Sequence, residues 1–245
     1  MPAHADSADG LARSLALFRA FRVEQSDPDR FYGLLASDSV RMVSEHIALD
    51  GRRVLDVGAG PRQFARAFRD AGADYVAVDA DEHALDPLRE RGTHALVAFG
   101  EHLPLQDGAV DVAFSSNVFE HARSPETLAS EMVRVTRPGG LVVLSYTNWL
   151  SPWGGHETSP YHWLGGERAV RIYRHRHGHA PKNRIDSTLY RTSVAQGLRW
   201  ARSHPDAELV LARPRYYPGW MRLLVEVPGL REVATWNLWL VLRKR

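Results

Sequence analysis

The chain of 245 residues contains no cysteine, so disulfides and thiolate metal sites are excluded. Long apolar runs are missing too: the longest, such as Leu141 to Leu144 and Leu238 to Leu242, fall far short of the roughly 20 residues that a membrane-spanning helix needs. No apolar segment follows the polar, acidic stretch Met1 to Gly10, which reads as a disordered tail and as neither signal peptide nor anchor. A cytoplasmic protein is expected. A surplus of one charge is also absent. The 31 Lys and Arg stand against 29 Asp and Glu, and a formal net charge of +2 argues against a general nucleic-acid binder. The length suits one α/β domain spanning 1–245.

What is present is organised around Arg53 to Phe64. Val54, Leu55 and Val57 predict a short strand buried on both faces, interrupted by Asp56, whose carboxylate is costly unless something binds it. Gly58 and Gly60 allow a tight turn in which backbone can approach a ligand, and a helix near Pro61 would follow, with Phe64, Ala65 and Phe68 on one face. Strand, glycine turn and helix make a nucleotide-cradling unit. A second apolar strand, Tyr75 to Val78, ends in Asp79, about 20 residues after the glycines, where a carboxylate can accept both hydroxyls of a ribose. That spacing fits nicotinamide cofactors and S-adenosylmethionine alike, but the third glycine of the dinucleotide fingerprint would fall at Gln63 and is missing.

Taken in order, Leu11 to Val23 predicts an amphipathic helix, and Asp27 with Pro28 opens a second that reaches about Ala48. Tyr32 on it is a lid over a pocket or a core aromatic. Further helices are expected over Glu82 to Arg91 and Glu126 to Val135, with strands at Ala95 to Phe99, Val110 to Phe114 and Leu141 to Tyr146. Glu101, just past the third strand, could read an adenine amino group or be a solvated loop residue. Ser115, Ser116 and Asn117 follow the fourth strand, where open parallel sheets place their ligands. From Asn148 to about Pro205 the alternation breaks into an insertion with helical patches at Glu167 to Tyr173 and Ser193 to Arg202. Leu209 to Ala212 and Leu238 to Leu242 are expected as an antiparallel final pair.

Val54-Leu-Asp-Val-Gly-Ala-Gly60, the strand end at Asp79, Gly100-Glu-His-Leu-Pro104, Asp111-Val-Ala-Phe-Ser-Ser-Asn-Val-Phe-Glu-His121 and Arg137-Pro-Gly-Gly-Leu-Val-Val-Leu144 together resemble class I S-adenosylmethionine-dependent methyltransferases. Gln25 to Tyr32, Gly154 to Glu157 and His177 to Asn183 further resemble a group of actinobacterial methyltransferases whose substrates are mostly undefined. The resemblance implies a Rossmann-like seven-stranded, mostly parallel sheet in the order 3-2-1-4-5-7-6, its last strand antiparallel, with helices on both faces and an insertion after strand five. It divides the single domain into N-terminal helices (1–50), a cofactor core (51–147), an acceptor-side insertion (148–205) and final strands (206–245). It further implies that Asp56, Gly58, Ala59 and Gly60 surround the methionyl part of the cofactor, that Asp79 holds the ribose and that Glu101 faces the adenine. Ser116, Asn117 and His121 would lie under the sulfonium, with Tyr32, Phe64, Ala80 and Gly100 also beside the cofactor. Arg62 stands where the family often has a third glycine.

Methyl transfer needs an acceptor held in line, and a hydroxyl acceptor needs its proton removed, usually by a histidine. His121, His156, His162 and the cluster His175, His177 and His179 are the candidates. His156 is preferred, because Gly154 and Gly155 would let its loop fold over the site and Glu157 lies beside it in sequence, although a structural loop histidine is as good a reading. Asn117-x-x-Glu120-His121 resembles the Glu-x-x-Glu-His site of some magnesium-assisted methyltransferases, but asparagine replaces the first acid, and a site without metal is expected. The run Arg168, Arg171, Arg174, His175, Arg176 and His177 could bind phosphate or carboxylate, or be a solvated helix face. The expected function is O-methylation of a small-molecule or saccharide hydroxyl by S-adenosylmethionine. An NAD(P)-dependent oxidoreductase and a non-catalytic nucleotide- or RNA-binding module are the alternatives.

Overall fold

The computed structural model of the chain describes residues 10–23, 26–60, 64–89 and 93–245. The expectations for the tail before Gly10 and for Gln25, Pro61, Arg62, Gln63 and Arg91 lie outside the described residues. In chain order the elements are α1 (Leu11–Phe21), α2 (Pro28–Ser44), β1 (Arg53–Val57), α3 (Ala65–Asp70), β2 (Asp74–Asp79), α4 (Glu82–Arg89), β3 (His94–Val97) and β4 (Val110–Ser116). They continue with α5 (Pro125–Val135), β5 (Thr136–Tyr146), α6 (Gly166–His177), α7 (Val194–Ser203), β6 (Ala207–Pro214), α8 (Leu230–Ala234) and β7 (Leu238–Lys244). The strands form one seven-stranded sheet in the order β3-β2-β1-β4-β5-β7-β6, with β7 antiparallel to both its neighbours and the other pairings parallel. This is the expected doubly wound sheet with its reversed edge.

Alternation along the strands sends neighbouring side chains to opposite faces, and both faces are covered. Val54, Phe114, Val143 and Val241 enter one core cluster with Leu35, Val43, Phe68 and Leu85 from the helices. Leu55, Ala113, Val142 and Leu240 enter the other with Leu128, Met132, Val194 and Leu198. Fully burying one such side chain is worth about 1.5–3 kcal/mol, so a strand apolar on both sides holds its place against either layer. Asp27 caps α2 by accepting from the Arg30 N–H at 3.2 Å, with Pro28 at the first turn.

Three boundaries differ from the sequence reading for identifiable reasons. First, β5 starts at Thr136, because Val110 pairs with Thr136 before Val112 pairs with Leu141. Arg137 to Gly140 therefore form a bulge inside the strand and not a connection before it. Second, β3 ends at Val97, which leaves Phe99 beyond the sheet and 68 % exposed. Third, α7 packs in the second core cluster with Val194, Leu198, Trp200 and Ala201, and so covers the sheet instead of belonging to the insertion. Its amphipathic pattern is the same in either setting. Among the described residues no helix is long and apolar enough to cross a membrane.

Candidate active site

The site lies at the carboxyl ends of the parallel strands. After β1, the N–H groups of Gly58 and Ala59 both donate to the Val78 carbonyl, at 2.8 and 3.0 Å, which ties the turn to β2. Gly58 has φ +75°, and a Cβ there would stand 2.3 Å from a Val118 methyl, so only glycine fits. Gly60, at φ +57°, donates its N–H to Asp79 Oδ2 at 2.9 Å, while the Asp81 N–H donates to Oδ1, also at 2.9 Å. Both carboxylate oxygens of the half-buried Asp79 are thus held by backbone, and each keeps a further lone pair for a hydroxyl. Ala80 beside it is exposed. Glu101 is half-buried and accepts from the Ser124 N–H at the start of α5, at 3.4 Å, and Gly100 packs against Leu128 and Val57.

Several residues expected beside the cofactor also make contacts within the protein. The Asp56 carboxylate is 1 % exposed and accepts from the Tyr75 hydroxyl at 2.5 Å. Phe64 is buried with its ring edge-on to Phe114, 5.0 Å away, and Ala59 is buried in the same cluster. Tyr32 packs half-buried against that cluster, 5.1 Å from the Phe31 ring.

Burial first, and then the charge of Asp79, push the Asp56 carboxyl up to about 7, against the Tyr75 hydrogen bond. The folded chain keeps this proton between about pH 4 and 7, where the unfolded chain has released it, so stability is lost as pH rises through that window. Asp56→Asn keeps an acceptor for Tyr75 without the charge. Urea midpoints should favour this variant over wild type by more at pH 8 than at pH 5, by an amount on the order of a few kcal/mol. A pH-independent difference would show that Asp56 is not buried in its neutral form.

At the ends of β4 and β5, Ser116 and Ser145 accept from one Nη of Arg215, at 2.8 and 2.6 Å, and Ser39 of α2 accepts from the other at 2.6 Å. Arg215 is fully buried, with its guanidinium 5.1 Å from the Trp239 ring. Asn117 adopts φ +58°, and its side-chain oxygen accepts from Asn237 at 2.7 Å. That oxygen is therefore committed within the protein.

Past Asn117, the short turn Phe119–His121 presents Glu120 and His121 to the insertion, with Phe119 stacked on Tyr146 at 4.5 Å. Glu120 has no exposed surface. Its Oε1 accepts from the Thr147 N–H at 3.0 Å, its Oε2 has no partner, and burial pushes its carboxyl above the usual range. His121 Nδ1 lies 2.6 Å from the Thr188 carbonyl, and its ring stands edge-on to His156 at 5.0 Å. His156 adopts φ +49°, and its Nε2 is buried without a partner. Burial first, and then the His121 ring, push His156 down to about 4, so it is neutral at physiological pH. One ligand atom each of Glu120, His121 and His156 lies within 4.8 Å of the other two.

Both oxygens of Glu157 accept from Asn183 Nδ2, at 3.1 and 3.0 Å. A Cβ on Gly154 would stand 2.0 Å from the Trp149 carbonyl, and one on Gly155 would stand 2.4 Å from the His162 side chain. They are glycines because the loop is tightly packed. His162 is buried, with its Nε2 at 3.2 Å from the Ser151 carbonyl, and His175, His177 and His179 are exposed at the end of α6 and beyond it. Arg168, Arg171 and Arg174 line an open groove of about 1010 Å³ together with Lys182, Arg184 and Arg191. Arg215, Asn237 and Phe99 carried no signal of a role in the sequence.

Residues 55–144 match the model of a family described as a methyltransferase domain. An uncharacterised methyltransferase of Mycobacteroides abscessus is 51 % identical, over 96 % of this chain and 95 % of its own length. One of Mycolicibacterium gilvum is 53 % identical, over 95 % of this chain and 94 % of its own. Among solved structures, an S-adenosylmethionine-dependent methyltransferase of Mesorhizobium loti shares the fold at a TM-score of 0.58 and 18 % identity, over 85 % of this chain and 98 % of that one. A sheet with a reversed last strand, a glycine turn pinned to a strand-end aspartate and relatives about half identical along nearly the whole length agree: the chain belongs to the class I S-adenosylmethionine-dependent methyltransferases.

Proposed function

We propose that the protein methylates a hydroxyl of a small molecule or saccharide, acting as one domain in which 51–147 hold the cofactor and the loops of the insertion face the acceptor. The observation that carries the cofactor assignment is Asp79, whose two oxygens are fixed by backbone N–H groups yet retain capacity for two ribose hydroxyls. The exposed Phe99 offers an aromatic face on the same side, next to Ala98, whose N–H donates to the Asp79 carbonyl. Adenosylmethionine supplies a methyl group on a sulfonium, which becomes a neutral thioether as the acceptor oxygen takes the methyl. The chain's own part is to align the two groups, exclude water and make the hydroxyl nucleophilic. His156 is the residue proposed for the last task, with His121 beside it. The basic groove along α6 supports an acceptor that also carries carboxylate or phosphate.

Calorimetry with adenosylmethionine, adenosylhomocysteine and NADH tests the cofactor. The first two should bind and NADH should not. NADH binding with neither of the others would overturn the reading. Labelled methyl transfer to a panel of hydroxylated metabolites and sugars, with phosphorylated and carboxylated members, would then identify the acceptor.

A further inference from the structure

We infer that Glu120, His121 and His156 bind a divalent transition-metal ion, zinc in the first instance, at the carboxyl end of β4. In Glu120 and His121 one donor atom is used within the protein and one is left for an ion, and His156 adds a buried, unpartnered nitrogen. Glu120 Oε1 is occupied by the Thr147 N–H, and its Oε2 is fully buried with no partner. A bare carboxylate oxygen in that setting is costly, and a cation would offset the cost. The His121 Nδ1–H donates to the Thr188 carbonyl, which leaves the lone pair on Nε2, and a backbone carbonyl on the far nitrogen is how proteins commonly fix a metal-binding imidazole. His156 brings a buried, unpartnered Nε2 from a loop that close packing holds in place.

One atom from each lies within 4.8 Å of the others. Donors in a tetrahedral zinc site stand about 3.4 Å apart, so a modest contraction would close the site and leave a fourth position open. One carboxylate and two imidazoles suit zinc and its first-row neighbours, whereas magnesium favours oxygen ligands and retained water. The sequence pointed away from metal because Asn117 replaces an acid. In the structure Asn117 is held by Asn237, and the third ligand comes from the insertion.

The inference deepens the methyl-transfer reading, on which its role rests. An acceptor hydroxyl at the open position would be acidified by the ion and give its proton to bulk water, with His156 acting as a ligand and not as the proton acceptor. The test itself needs neither cofactor nor acceptor, so its failure would leave the methyltransferase reading standing. The full chain, stripped with a chelator, is titrated with Zn²⁺ by calorimetry and with Co²⁺ by visible absorption. One ion per chain should bind, with the d–d bands of a low-coordinate cobalt site. Glu120→Gln, nearly isosteric, and His156→Ala should each weaken binding at least tenfold, with thermal melts confirming that both fold. The double variant H177A/H179A, altered at exposed imidazoles, should bind as wild type. No stoichiometric binding at micromolar Zn²⁺, or binding that survives in both Glu120→Gln and His156→Ala, would overturn the site.

Discussion

Replacing His156 with alanine is expected to slow methyl transfer by about a hundredfold or more while leaving affinity for adenosylmethionine unchanged. The separation follows from where the parts come from. The acid proposed for the ribose and the glycine turn belong to β1 and β2, whereas His156 is carried by the insertion and stands edge-on to His121 beyond the end of β4. On the proposed reading the reaction needs the His156 Nε2, as proton acceptor or as ligand to an ion. With no ion on its Nε2, His156 is pushed down to about 4, so activity that uses the ring as base should persist through mildly acid pH and fall as the ring protonates near that value, well below the ordinary histidine range. Glu157→Gln should cost little, since Asn183 already occupies that carboxylate. Single-turnover rates with labelled cofactor read both variants. A wild-type rate for His156→Ala would remove it from the chemistry and turn attention to His121.

Asp79→Ala should weaken adenosylmethionine binding at least tenfold. Two hydroxyl donors to a carboxylate are worth roughly 1.5–3 kcal/mol each, and each 1.4 kcal/mol is a factor of ten. The same substitution removes the acceptors of the Gly60 and Asp81 N–H groups, so the turn would loosen as the ribose partner is lost. Calorimetry on a variant with a wild-type melting profile decides the matter. Unchanged affinity would mean that the ribose is held elsewhere.

The fold was legible because its signals are local. Apolar runs of four to six residues, glycines at turns and the Asp27-Pro28 cap each act within a few residues, and the order of strands follows from the family resemblance they carry. The candidate site was less legible, because proximity in sequence is a poor guide to proximity in space. Glu157 adjoins His156 in the chain, yet its partner is Asn183. Arg215 draws its three serines from α2, β4 and β5, so no stretch of sequence could reveal it. Asp56 and Asp79 look alike as acids in or after apolar strands. One sits inside β1 and is buried against Tyr75, while the other ends β2 and faces the turn. An amphipathic helix carries no label for the surface it covers, so the pattern of α7 does not reveal that it packs in the second core cluster.

The crowded glycines before His156 have a consequence for timing. A loop that must close over each acceptor orders itself once per turnover, typically in microseconds to milliseconds, and that step can limit the rate. Here the Trp149 carbonyl and the His162 side chain leave Gly154 and Gly155 no room for a Cβ, and Thr158 and Ser159 both hydrogen-bond Gly155. On the proposed reading, conformational entropy given up by this loop when the chain folds need not be given up again at each turnover, and the acceptor would meet a histidine already in place.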